Sequence, residues 1–131
     1  MIVVDASAMV EALCGAAPAK ALLAMLAGDI HAPHLLDLEV TSVLRGLELG
    51  GVITPDGAEL ALGDYWAFAI ERYDMAPLRE RVWQLRHQFT TYDASYLALA
   101  EALDAPLLTC DRKLATNGHR AAVTLFSSTT R

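Results

Sequence analysis

Hydrophobic and polar positions along the chain follow two different periods. Ile2-Val3-Val4 is a short β-branched run, Ile30 to Pro33 a second short strand, and Leu107-Leu108-Thr109 a strand of the buried type. Between them apolar residues recur every three or four positions. Val10, Leu13 and Cys14 mark one helix, and an Ala- and Leu-rich stretch from Ala19 to Ala27 marks a second. Leu36, Val40, Val43, Leu44 and Leu47 predict a long helix over Leu35 to Gly50, stopped by Gly50-Gly51. Thr54-Pro55 supplies a cap followed by a first-turn proline, so another helix runs from there towards Phe68 or Ile70.

The second half repeats the alternation. Tyr73 to Leu78 is expected to form a strand, and Arg79 to Gln88, with Val82, Leu85 and Phe89 in period, a helix. A further helix is expected over Asp93 to Leu103, closed by Ala105-Pro106. A short one follows over Asp111 to Thr116, closed by Asn117-Gly118, and then a last strand over Ala122 to Phe126. Strands alternating with helices predict an α/β fold built from right-handed βαβ units around a central, mainly parallel sheet. In such sheets functional groups gather beyond the carboxyl ends of the strands, where Asp5 and Asp111 fall.

Composition narrows the class. A chain of 131 residues with 54% hydrophobic and 20% charged residues can bury one core, so residues 1–131 are expected to form a single domain, with Ser127 to Arg131 as a polar tail. Every apolar stretch is interrupted before about 18 residues, which excludes a membrane-spanning helix. Met1-Ile2-Val3-Val4-Asp5 lacks the features of a signal peptide, and a cytoplasmic location is expected. Cys14 and Cys110 have neither CxxC spacing nor a neighbouring His cluster, which predicts two reduced, mostly buried thiols. The net charge of −6 argues against a broad basic surface for nucleic acid. Any RNA bound here would need metal ions to neutralise much of its charge.

Four carboxylates stand out by placement. Asp5 and Asp111 end strands, Asp93 opens a helix, and Glu39 lies on an apolar helical face, flanked by Leu35, Leu36 and Val43. Each has an ordinary reading. The three aspartates suit helix caps, and Glu39 can keep its head in water or pair with Arg45. Capping residues, however, have no reason to converge. Four clustered carboxylates would repel one another unless a cation lay between them, and an all-oxygen set suits Mg²⁺, with Mn²⁺ as a substitute. One such ion, or two about 3.5–4 Å apart, would serve hydrolysis of a phosphodiester.

Ile2-Val3-Val4-Asp5-Ala6-Ser7, Leu38-Glu39-Val40, Thr91-Tyr92-Asp93-Ala94 and Leu108-Thr109-Cys110-Asp111-Arg112-Lys113-Leu114 together resemble the PIN-domain nucleases, and more narrowly the VapC toxins of bacterial toxin–antitoxin pairs. The resemblance runs from Ile2 to Phe126. It implies a three-layer α/β/α PIN-like domain with Asp5, Glu39, Asp93 and Asp111 as the acidic metal site, accompanied by the hydroxyls of Ser7 and Thr109. It also implies cleavage of RNA, commonly tRNA or rRNA, to a 5′-phosphate and a 3′-hydroxyl, inhibition by a small VapB-type antitoxin, and a homodimer. The sequence departs from the pattern at Gln88, where many members carry Asn. Arg86, Arg112 and Lys113 are candidate phosphate contacts, although exposed cations on helices are more often simply solvated. His87 and Asp37 stand outside the expected site.

Other readings fit less well. A haloacid-dehalogenase-like phosphatase needs a second Asp where Ser7 stands, and a response-regulator receiver needs paired acids after the first strand and a mid-chain phosphoacceptor. Within the PIN family, an RNA-processing nuclease outside any toxin–antitoxin pair, or a non-catalytic binding module, would share the same scaffold.

Overall fold

The protein is described by a computed structural model covering residues 1–130; Arg131, the last residue of the expected tail, lies outside the described residues. Strand β1 (Ile2–Val4) is buried at every position and lies at the centre of a five-stranded sheet. β2 (Ile30–Pro33) and β4 (Leu107–Thr109), its neighbours, are also buried throughout. β3 (Ile70–Tyr73) and β5 (Val123–Leu125) form the two edges. The order is β3-β2-β1-β4-β5 and every pairing is parallel, so the mainly parallel sheet is parallel throughout. Continuous apolar strands are what such a sheet requires, because helices cover both faces.

Helices α1 (Ala6–Cys14) and α2 (Lys20–Leu26) connect β1 to β2, and α3 (Leu35–Leu49) and α4 (Pro55–Ala67) connect β2 to β3. α5 (Arg79–Gln84) and α6 (Thr91–Leu103) return the chain to β4, giving the three-layer α/β/α domain that the resemblance implies. Met9, Leu22, Leu36, Leu44, Tyr65, Tyr96, Leu97 and Leu99 meet the buried strands in one core. The chain runs outward from β1 to β2 and β3, then returns to the other side of β1 with β4. Between β1 and β4 the winding reverses, and a parallel sheet opens a crevice at such a point.

Several boundaries differ from the sequence pattern. The strand expected at Tyr73 to Leu78 instead lies over Ile70–Tyr73, in register with Ile30 to Pro33, and Ala76–Leu78 is a 3₁₀ turn. An edge strand tolerates Glu71 and Arg72, which broke the apolar signal, whereas Pro77 lacks the N–H a ladder uses. The helix expected to reach Gln88 stops at Gln84 and continues as turns, with Gln88 and Phe89 both donating to the Leu85 carbonyl. α6 starts at Thr91, two residues before the expected Asp93, because the Thr90 hydroxyl caps it by accepting from the Asp93 N–H at 3.1 Å. The short helix after Asp111 is a 3₁₀ turn over Arg112–Ala115, and the last strand is confined to Val123–Leu125.

Candidate active site

Asp5 leaves the carboxyl end of β1 and caps α1, so its ordinary reading as a cap holds: Oδ1 accepts from the Ala8 N–H at 3.0 Å. The rest of its environment goes beyond capping. The Ser7 hydroxyl donates to Oδ1 at 2.7 Å and the Thr109 hydroxyl to Oδ2 at 2.5 Å. Each hydroxyl also accepts from the turn that follows β4. The Cys110 N–H donates to Ser7 Oγ at 2.8 Å, and the Asp111 N–H donates to Thr109 Oγ1 at 3.0 Å. Both hydroxyl protons are committed to Asp5, so the 3.3 Å separation of Ser7 Oγ and Thr109 Oγ1 is a contact without a shared proton. Through these two residues the end of β1 is stitched to the turn that follows β4.

Asp111 stands in that turn, half-buried, and accepts from the Lys113 N–H at 3.0 Å; it too is a cap. Asp93 is not, since Thr90 takes that role. The Asp93 carboxyl lies half-buried in the first turn of α6. Glu39 takes neither ordinary course, full solvation or pairing with Arg45. Its Oε1 accepts from the hydroxyl of the buried Tyr96 at 2.6 Å, which joins α3 to α6.

The carboxyls sense one another. Burial drives the Asp5 carboxyl above its ordinary value; the Thr109, Ala8 and Ser7 donors oppose that rise without cancelling it, and the charge of Asp93 adds to it. Asp93 is likewise raised, by burial first and then by the charge of Asp111, with Lys113 and the Thr90 hydroxyl as counterweights. Burial and then the negative charges of Glu39 and Asp5 push the Tyr96 phenol upward. Cys110 is raised to about 11 by burial and the charge of Asp5, which favours the protonated thiol near neutral pH. Cys14 and Cys110 are both free and half-buried rather than fully enclosed.

Asp5, Asp93 and Asp111 therefore share one electrostatic neighbourhood, and Glu39 reaches it through Tyr96. Their oxygens are the donor set that hard divalent cations take, and the raised carboxyls of Asp5 and Asp93 reflect burial first and neighbouring negative charge second. The side chains as they stand do not close around a point: among the described residues, no three His, Cys, Asp or Glu groups are arranged to hold a metal ion. Lys113 is the cation facing Asp93 in this arrangement.

Beside the acids opens a hollow of about 680 Å³ between α1, α3 and the chain terminus, lined by Ser7, Val10, Leu47, Asp111, Arg112 and Thr130 among others. Arg112, exposed, lines it, and Lys113 is exposed at the next position in the chain. Arg86 is differently engaged, lying 4.5 Å over the Trp83 ring and donating to the Trp83 carbonyl at 2.9 Å. Gln88 lies against Gly118. Asp37, outside the site, accepts from Arg72 Nε at 2.9 Å and from the Tyr65 hydroxyl at 2.6 Å.

A PIN-domain family model matches residues 2–119 of this chain. The chain belongs to the PIN-domain family. Within it the curated relatives are VapC ribonucleases. Ribonuclease VapC1 of Mycobacterium tuberculosis is 49% identical over 116 residues, covering 86% of this chain and 87% of its own. VapC ribonuclease Mb0985 of Mycobacterium bovis is 42% identical over 118 residues, covering 90% and 91%. Solved structures share the fold as well. PAE2754 from Pyrobaculum aerophilum has a TM-score of 0.70 at 24% identity, covering 93% of this chain and 81% of that one. Mycobacterium tuberculosis VapC20, a sarcin-ricin loop cleaving toxin, has a TM-score of 0.63 at 17% identity, covering 92% and 97%. The sequence singles out Asp5, Glu39, Asp93 and Asp111 in this PIN domain as a candidate site. It does not single out Tyr96, the partner of Glu39, because a Tyr in an Ala- and Leu-rich helix reads as core.

Proposed function

We propose that this chain is the toxin of a toxin–antitoxin pair, a Mg²⁺-dependent endoribonuclease that hydrolyses phosphodiesters of tRNA or rRNA. The observation that carries the reading is the cluster at the β1/β4 crevice, where Thr109 joins Asp5 to the turn that holds Asp111, the charge of Asp93 adds to the rise at Asp5, and that of Asp111 to the rise at Asp93. In a VapC-like PIN domain, that is the arrangement a divalent cation would relieve. Asp5, Glu39, Asp93 and Asp111 would hold the ion. When bound, Mg²⁺, or Mn²⁺ in its place, supplies the positive charge and Lewis acidity that hydrolysis at a phosphodiester needs.

The protein's own groups do the positioning. Thr109 and Ser7 fix both oxygens of Asp5 and lock the crevice walls together. Tyr96 holds Glu39 towards the acids. Arg112 and Lys113 stand exposed beside Asp111, where a phosphate bridging the crevice would meet them. With a net charge of −6, these few cations and the bound ion account for phosphate affinity, since no broad basic face is available. A small VapB-type antitoxin and a homodimer complete the reading. No helix among the described residues is long and apolar enough to cross a membrane.

The test is cleavage of total tRNA and rRNA by the purified chain with Mg²⁺, with EDTA, and as Asp5→Asn and Asp93→Asn. Cleavage is expected only for the wild type with Mg²⁺ or Mn²⁺; equal cleavage in all four conditions would sink the metal-site reading. Expression alone should arrest growth, and co-expression with its antitoxin should restore it. Unimpaired growth in both cases would remove the toxin role.

A further inference from the structure

A second hollow, of about 230 Å³, shares no lining residue with the first, and none of the four acids lines it. Pro33 and Tyr73, the last residues of β2 and β3, form part of it. His34, Met75, Tyr92 and Ser95 complete most of the wall. Because the strands are parallel, the ends of β2 and β3 open on the same rim of the sheet as the end of β1, where Asp5 stands. Neighbouring strands lie roughly 5 Å apart, so the slot sits about 5–10 Å along that rim from Asp5, within reach of one nucleotide. Tyr92 immediately precedes Asp93, and Leu35, also on the wall, lies one turn before Glu39.

We propose that this slot receives one unpaired nucleobase of the RNA strand whose phosphate lies at the acids, and that Tyr92 is its stacking residue. The inference rests on the ribonuclease reading of the acid site. The chemistry of the wall fits a flat, uncharged ring. Tyr73 and Tyr92 offer aromatic surfaces and Met75 a polarizable thioether, and neither Lys nor Arg lines the slot to draw a phosphate into it. Sequence-tolerant or sequence-selective binding of single-stranded RNA depends on such ring surfaces beside a backbone-binding edge.

The two aromatic walls differ in a way that suits the role. Tyr73 is fixed: its hydroxyl lies 2.7 Å from Nδ1 of the buried His31, whose Nε2 is 2.9 Å from Asp29. This chain of contacts gives His31, otherwise an unexplained polar group in the sheet, a positioning part in holding the Tyr73 ring. Tyr92 is 60% exposed and Met75 46%. One wall is thus preorganised, which lowers the ordering cost of binding, and the other is free to close over a base.

Two measurements test the slot. The first follows the Met75 methyl resonance of the full chain, as Asp93→Asn to prevent cutting, while a single-stranded RNA octamer is added. An upfield shift at Met75 is expected; movement of other methyls with Met75 unmoved overturns the proposal. Movement of Met75 by a protein partner but not by RNA assigns the slot to protein and equally overturns it. The second maps the cuts made in random-sequence RNA by wild type, Tyr92→Ala and Tyr92→Phe. Tyr92→Ala should raise KM about tenfold, the order of a lost base–aromatic stack, and flatten the base preference at one position beside the cut, with kcat within about twofold. Tyr92→Phe should keep both. An unchanged preference in Tyr92→Ala removes the slot and leaves the nuclease standing, whereas a wild type that neither cuts RNA nor shifts any methyl removes both.

Discussion

Glu11 and Asp5 stand at opposite ends of α1, both buried, both with three hydrogen-bond donors, and their carboxyls move in opposite directions. Burial pushes the Glu11 carboxyl up, yet hydrogen bonds from the Thr129 hydroxyl and N–H and from Thr130 outweigh it and hold the group below its ordinary value. Burial pushes Asp5 up as well, and there its donors lose, with Asp93 adding to the rise. The donors at Glu11 come from the polar tail, folded back so that the Thr129 carbonyl also accepts from Ala16 and its hydroxyl from Ala17. Gly15 makes room, since a Cβ there would overlap the Glu11 carboxylate. One acid is satisfied by the chain itself and closes the fold. The other belongs to a group whose charge the chain leaves in excess, which is the condition for binding something positive.

The comparison breaks most sharply if one charge is removed from the excess. Asp93→Asn should lower RNA cleavage by about 10³-fold, the scale of losing one electrostatic contributor to a phosphoryl transition state. It should also raise rather than lower Tm in EDTA, because the repulsion with Asp5 and Asp111 goes with it. Loss of both activity and stability would mean that Asp93 is a structural acid like Glu11.

The converse change belongs to the other end of α1. Glu11→Ala strands the Thr129 N–H and two hydroxyls, and should cost about 2–4 kcal/mol in urea denaturation while leaving cleavage per folded molecule within a few-fold. Deleting residues 127–131 removes the same bonds from the other side, so the double variant should be little less stable than either alone. Additive losses would show that the tail is held by something other than Glu11.

The same contact sets a pH dependence. A carboxyl held below its ordinary value of 4.5 binds protons less readily folded than unfolded, so its stabilisation is whole above that value and fades as pH falls through the folded one. The stability gap between wild type and Glu11→Ala should therefore be widest near neutrality and narrow below about pH 4.5. Glu101 behaves in the same sense: burial raises it, but Arg81 at 2.7 Å and Arg120 lower it further, and its fading overlaps that of Glu11. Comparing each point with Glu11→Ala separates the two. A gap constant from pH 7 to pH 3.5 would contradict the assignment.

These two regions were unequally legible in the sequence. Asp5 and Asp111 announce themselves because an apolar strand ending in an acid is a local signal, and Glu39 because an acid interrupts a helical stripe. Glu11 carries no such signal. It sits among Ala, Val and Leu as any solvated helix residue might, and its partners lie more than a hundred positions away. Ser127 to Arg131 read as a polar tail for the same reason: Thr129 and Thr130 reveal their use only when a buried carboxylate is opposite them. The edge strand β3 was misplaced because pairing with β2, not its own apolar content, makes Ile70-Glu71-Arg72-Tyr73 a strand. Contacts between remote segments, rather than local pattern, decide all three.

The finest distinction concerns how the open site keeps its acids in place without neutralising them. Tyr96 is buried, packs as a core aromatic and spends its hydroxyl on Glu39. Tyr96→Phe keeps the packing and removes only that donor, so Glu39 loses its orientation but not its place on α3. The hydroxyl itself leaves no unpaired partner of consequence, since a half-buried carboxylate can turn to water. Cleavage should fall about 5–10-fold, and the Mg²⁺ concentration for half-maximal rate should rise, with stability changed by less than about 1 kcal/mol. If the rate is unchanged at every Mg²⁺ concentration, Glu39 does not work with the other three acids and the site is Asp5, Asp93 and Asp111 alone. If stability falls as far as in Glu11→Ala, the Tyr96–Glu39 pair belongs with the satisfied acids that hold the fold together.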